Sequence, residues 1–342
     1  DEDVHGVVRL GFLGDGETWQ LNSYLDAAAA FRPTLDAMFD TIAGRARTKR
    51  HILAYLMNID AMGHLGDLDQ SVDMLVELDR RIRMFQGASR RPIHFTLFSD
   101  HGNAHIPSRM VDPREILTDV GVASVEALGT AQPSRLEAVA VVHTRVSYAA
   151  LHTAGRDVAA IAERASSHAD VDLAVGKLPT VPADVDRDRR RFGVWRAGRA
   201  HMFTRDAAGT ITVEAAASWD WLGVDLRPWR DAVSDEATLS ERDAFEATRQ
   251  GPYPDIFHRV ATAFSNPAAR YPADIFLSFP DDVAVVGYIV PGAGEIPAAA
   301  GFHGSLTRAA TLSVVASQSF TLPPALRSDD LAEMFPALRG SP

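Results

Sequence analysis

The chain has 342 residues, with 46% hydrophobic and 23% charged residues, a net charge of −11 and no cysteine. Those values fit a globular protein and exclude disulfides, thiolate metal sites and cysteine nucleophiles. They also argue against a nucleic-acid polymer as partner, which would call for a basic surface. Any metal must be held by His, Asp and Glu, a donor set that suits Zn, Mn or Mg. A small anionic substrate stays compatible with the acidic chain, because a bound metal supplies local positive charge. No uninterrupted apolar run is long enough to span a bilayer, so no membrane segment is expected. The opening "DEDVHG" has no signal-peptide character, and the compartment is left open.

In chain order, "VVRLGFLGDGET" (7–18) reads as a strand ending in Asp15. "HILAYLMNI" (51–59) reads as a strand buried on both faces. "LDQSVDMLVELDRRIRMF" (68–85) is helical, with Leu68, Val72, Leu75, Leu78, Ile82 and Phe85 at helical spacing and Asp67 as the N-cap. "IHFTLFS" (93–99) is the next strand, so residues 51–99 form a strand–helix–strand unit with parallel strands. A second such unit follows, with strands at 136–142 and 146–151, a helix at 157–168 and a strand at 171–176. "DVDRDRRR" (184–191) is an exposed break, and its charges read as a solvated loop. Short strands around a turn at Ala208–Gly209 fill 192–232, and 233–270 is polar and helical. Strands return at 274–279, 283–290 and 312–317. This alternation predicts an α/β fold with a mostly parallel sheet and helices on both faces. Residues 1–183 and 271–342 are expected to form the core, and 184–270 a small accessory lobe.

The chemistry concentrates in three places. Two apolar strands each run into a carboxylate and an imidazole: Asp60 with His64, and Asp100 with His101. In an open parallel sheet ligands bind beyond the carboxyl ends of strands, so four potential metal ligands are expected on neighbouring loops. "GFHGSL" (301–306) adds His303 between two glycines that permit a tight backbone. Each piece alone has a bland reading as a turn or loop; the set points to a metal site. Asn103 and His105 lie close enough in sequence to contact substrate, though a turn role and a solvent-facing loop suit them too. His143, His152, Ser99 and Ser305 read as structural. Trp195, Trp219, Trp221 and Trp229 read first as core and second as a stacking platform for a nucleobase. No serine lies in a Gly-x-Ser-x-Gly elbow.

Together "LMNIDAMGHLGDLDQSVDMLVELDRRI", "FTLFSDHGN" and "GFHGSL" resemble the alkaline-phosphatase superfamily, most closely its bacterial type I phosphodiesterase and nucleotide pyrophosphatase branch. The resemblance covers about residues 45–180 and 270–320. It implies that Asp60, His64 and His303 bind one divalent metal and that Asp100 and His101 help bind a second, with zinc expected and manganese compatible. Hydrolysis of a small phosphate ester, a phosphodiester or nucleotide pyrophosphate, is the implied activity. A phosphomonoesterase, phosphomutase or sulfatase of the same superfamily is the runner-up, and a catalytically silent metal-binding chain is the third reading. The sulfatases need a modifiable Cys or Ser in an N-terminal motif, which is not seen here. The family also uses an Asp at the end of a first strand and a Thr or Ser nucleophile before the Asp60 element. Asp15 is a weak match to the first, and Thr18, Ser23, Thr34, Thr41 and Thr48 offer no convincing motif for the second. "YLDAAAAFRPTLDAMFDTIAG" (24–44) resembles the helix that ordinarily precedes the Asp60 strand. Two expectations follow: the nucleophile segment lies upstream of Asp1, which is the favoured one, or the chain keeps one intact metal site and no covalent catalysis.

Overall fold

The computed structural model describes residues 2–4, 7–10, 26–65, 68–105, 109–128, 136–141, 146–179, 189–265, 269–285 and 301–335. Two compact units divide the chain. The first comprises Asp1–Asp100, Pro297–Gly301 and Ser313–Pro342, and the second His101–Ile296 and Phe302–Leu312. No described helix is long and apolar enough to cross a membrane.

In the first unit, β1 (Glu2–Val4) pairs antiparallel with β2 (Val7–Leu10), and β2 pairs parallel with β3 (His51–Ala54). Helix α1 (Ala27–Arg45) starts where Asp26 accepts a bond from Ala29 N at 3.0 Å, satisfying one amide of its first turn. Helices α2 (Asn58–Leu65) and α3 (Leu68–Ala88) follow β3. Phe31, Leu35, Met38, Phe39 and Ile42 of α1 pack with Met62, Met74, Leu78 and Ile82 into the core of this unit. Strand β4 (Thr96–Phe98) pairs antiparallel with β16 (Val315–Ser317), not with β3.

Two expectations change here. The apolar run 51–59 is a strand only to Ala54, and from Asn58 it is helix, so Asp60 lies in the first turn of α2. A short apolar run has no period that separates strand from helix, and this one contains both. Helix α3 also turns a different face inward than its leucine spacing suggests. Met74, Leu78 and Ile82 are buried, whereas Leu68, Val72 and Leu75 are each about half exposed. The Asp67 cap and the Asp15 strand end lie outside the described residues.

The second unit is built on a nine-stranded sheet in the order β13-β12-β11-β10-β9-β14-β8-β7-β6. Its strands are β6 (Ala123–Ser124), β7 (Glu137–Val141), β8 (Tyr148–His152), β9 (Leu173–Leu178), β10 (Arg190–Arg196), β11 (Arg199–Arg205), β12 (Ile211–Val213), β13 (Ala237–Leu239) and β14 (Ile275–Ser278). Only β6 and β7 pair in parallel; every other neighbouring pair is antiparallel. The mostly parallel sheet expected from the sequence is therefore corrected to a mostly antiparallel one. A parallel crossover survives inside it, since β14 runs antiparallel to both β8 and β9, which therefore share a direction. Helix α5 (Val158–Ser166) makes that crossover. A late strand entered between two early ones, a placement that local sequence pattern does not encode. A separate parallel pair joins β5 (Arg109–Val111) to β15 (Val283–Val285), and α4 (Pro113–Asp119) follows β5.

Alternation along the strands sorts side chains to two faces. Ala174 and Leu178 of β9 join Ile161, Ala162 and Ala165 of α5 on one face. Leu173 and Val175 join Phe192, Val194, Phe203 and Trp219 on the other, under α7 (Ile256–Ala263) with its Ile256, Phe257 and Val260. Helix α6 (Glu241–Thr248) adds Ala244 to the same cluster. The strands of 190–239 thus extend the sheet that contains β9. The turn at Ala208–Gly209 is present, with Gly209 at φ 88° between β11 and β12. A tighter hairpin at Ala197–Gly198, both with positive φ, joins β10 to β11.

Candidate metal centre

Asp60, His64 and Asp100 belong to the first unit, and His101 and His303 to the second. Each half has its own scaffold.

In the first unit, Asp60 and His64 are one helical turn apart on α2, so both side chains leave the same face. His64 is 4% exposed. Its Nδ1 lies 2.9 Å from the carbonyl oxygen of Gly301. A carbonyl only accepts, so Nδ1 carries the hydrogen, and in the neutral ring Nε2 keeps its lone pair. That Nε2 faces Asp60 Oδ1 at 3.7 Å. Two ligand atoms each about 2.0–2.1 Å from a tetrahedral zinc stand roughly 3.4 Å apart. The pair therefore fits a shared cation, with a backbone carbonyl fixing the tautomer from behind. Tyr55, just before α2, has its phenol pushed up to about 12, first by burial and then by the negative charges of Asp100 and Asp60. The two carboxylates thus act on one phenol, which stays an O–H donor in neutral solution. Tyr55 was not singled out from the sequence; its place five residues before Asp60 was the available signal.

Ser99, at the end of β4, holds backbone to backbone. Its amide donates to Val314 O at 3.0 Å, and its hydroxyl accepts from Val314 N at 3.1 Å. The hydroxyls of Thr34, Thr41 and Thr48 donate to the carbonyls of Ala30, Ala37 and Arg45 at 2.7, 2.8 and 3.3 Å, so all three serve their own helix end or turn. Thr18 and Ser23 lie outside the described residues.

In the second unit, the His101 and His303 rings stack with centroids 3.7 Å apart and planes 18° from parallel. Two backbone bonds bring them together. Ala104 N donates to Phe302 O at 2.7 Å and Phe302 N to Ala104 O at 3.1 Å, pairing the segment after His101 with the segment before His303. Gly102 closes the approach to α8 (Arg308–Thr311), donating to Ala310 O at 3.2 Å. A Cβ at Gly102 would stand 2.3 Å from Leu312 O and 2.4 Å from Ala309 O, so only glycine fits without a backbone shift. Asn103 is partly buried, and its Oδ1 has no hydrogen-bond partner among the described residues. His105 is exposed. His143 lies outside the described residues, and His152 is partly buried on β8. Ser305 is fully buried and bonded to the Thr307 hydroxyl at 2.7 Å, a structural role.

Trp195 and Trp219 are each 1% exposed. Trp221 stacks on Trp219 with centroids 5.7 Å apart and carries the Arg196 guanidinium 5.2 Å from its ring centre. Its ring is engaged within the protein, so the tryptophans serve as core and not as a bare platform for a base.

Asp100 and His101 are consecutive in the chain, and His303 follows Gly301 by two residues. A family model described as type I phosphodiesterase / nucleotide pyrophosphatase matches residues 15–236. No curated protein and no solved structure matches the chain.

Proposed function

Because the chain belongs to the type I phosphodiesterase / nucleotide pyrophosphatase family, a family of phosphate-ester hydrolases, we propose that it cleaves a small phosphodiester or nucleotide pyrophosphate with the help of two divalent metal ions. Asp60, His64 and His303 are the proposed ligands of one ion, and Asp100 and His101 contribute to the second. Zinc suits this donor set, and manganese is compatible with it. When bound, such ions supply charge neutralisation at phosphate oxygens and activate an attacking oxygen. The observation that carries the reading is the His64 side chain, whose Nδ1 is committed to Gly301 O while Nε2 faces the Asp60 carboxylate.

The protein's own groups do the rest. Gly301 O holds the His64 ring in its orientation. Asn103 and His105, next to the Asp100–His101 element, are proposed substrate contacts. A side-chain amide such as that of Asn103 donates to a phosphate oxygen through its nitrogen. Tyr55 keeps its proton beside two carboxylates and adds a further donor at this edge.

Hydrolysis of bis(p-nitrophenyl) phosphate against p-nitrophenyl phosphate, with zinc or manganese supplied, tests the reading. Faster cleavage of the diester, abolished by a chelator and restored by metal, is the expected result. Preference for the monoester would replace it with the phosphomonoesterase reading. Tight metal uptake with no turnover of either ester would replace it with the silent metal-binding reading.

A further inference from the structure

The segment after Phe302 is held from several places in the second unit. Ser147 N donates to His303 O at 2.8 Å, and Leu306 N donates to Ser278 Oγ at 2.9 Å. The Thr307 hydroxyl donates to Asp281. Gly304, at φ 96°, takes a conformation that disfavours a side chain, against the ring of Tyr148. The Thr311 hydroxyl donates to Thr307 O at 2.6 Å, and a further support comes from Arg259 on α7, which lies beyond the residues matched by the family model. Its Nη2 donates to Ser305 O at 3.1 Å and its Nη1 to Leu306 O at 3.1 Å. Nη1 also reaches Pro254 O at 3.4 Å, anchoring the guanidinium to the start of its own helix. Burial pulls its pKa down to about 10, with Asp255 opposing, so the group is charged in neutral solution. A planar fork reaches two successive carbonyls at once; a lysine ammonium offers no such geometry.

We propose that Arg259 is a positioning residue for His303: by gripping the Ser305 and Leu306 carbonyls it fixes the loop that presents the imidazole to metal. This rests on the reading of His303 as a metal ligand.

Zinc affinity of the full chain, measured by competition with a chromophoric chelator, tests it for the parent, His303→Ala, Arg259→Met, Arg259→Lys and the His303→Ala/Arg259→Met double variant. Arg259→Met is expected to weaken zinc binding roughly ten- to a hundredfold, as loss of a supporting group around a ligand does. Arg259→Lys should fall between it and the parent, and the double variant should bind no more weakly than His303→Ala alone. Arg205→Met, which breaks the Arg205–Glu241 pair elsewhere in the same unit, should lower Tm and leave zinc affinity unchanged. If Arg259→Met does not fold, Arg259→Lys and Ser278→Ala carry the same comparison. Parental affinity in the Arg259 variants beside a weakened His303→Ala overturns the positioning role and leaves the ligand reading intact. Equal weakening by Arg205→Met reduces Arg259 to a general structural role and also overturns the proposal. Parental affinity in His303→Ala removes the ligand reading, and the proposal falls with it.

Discussion

His64 shows how a single bond direction decides what a side chain can do. With Nδ1 spent on a carbonyl, only Nε2 is left to act, and it points at a carboxylate. Asp60, His64, Asp100, His101 and His303 stand out in the sequence as candidate ligands, because carboxylate and imidazole beside apolar runs and glycines are unusual enough to notice. Their geometry was not. The spacing of four between Asp60 and His64 is a loop motif if the run is strand and a shared helical face if it is helix, and the structure makes it helix. Tyr55 was invisible because nothing in a lone tyrosine's sequence context reports the charges that face it. Its phenol gives a pH test. The folded-state pKa of about 12 exceeds the ordinary tyrosine value of 10.0, so the folded chain keeps a proton that the unfolded chain sheds first. That contribution to stability is present below the unfolded pKa and is lost as pH rises through the folded one. Chemical denaturation between those two values should therefore show the parent losing stability more steeply than Tyr55→Phe. Equal slopes would mean that folding does not raise the pKa of this phenol.

At the scale of elements, two glycines let chain segments approach where a side chain would intrude. A Cβ at Gly304 would sit 2.5 Å from the Tyr148 ring with φ at +96°, and one at Gly102 would press on two backbone carbonyls. Each glycine-to-alanine change should cost about 1–3 kcal/mol, from strain and displaced neighbours. Urea denaturation checks this, and an unchanged midpoint for Gly304→Ala would contradict the tight fit. The helices α3 and α5 and most strands of the second unit were legible, because their apolar periods are long or flanked by turn residues. Sheet order was not legible. Strand β14 pairs with β8 and β9 across 122 and 96 intervening residues, and that choice follows from which faces remain uncovered, a tertiary matter. Antiparallel pairing of β10 with β11 follows from the short connection Ala197–Gly198, whose positive φ values no Asn-Gly signature announced. The Trp219–Trp221 stack agrees with the first of the two sequence readings, core.

On the scale of the whole molecule, an acidic, cysteine-free chain has only His, Asp and Glu side chains to offer a metal. An ion that binds the folded chain and not the unfolded one raises stability by mass action, by about 2.7 kcal/mol at a concentration one hundred times Kd. Tm should therefore rise with added zinc and return with chelator, and the rise should be absent in Asp60→Asn/His64→Ala. The central claim is that Asp60 and His64 hold a metal. Its most direct test is zinc retained per chain, by elemental analysis after reconstitution and gel filtration, in the parent and in Asp60→Asn/His64→Ala. The account predicts tightly held zinc in the parent and its loss in the variant. Equal zinc in both, or none in the parent, would contradict it.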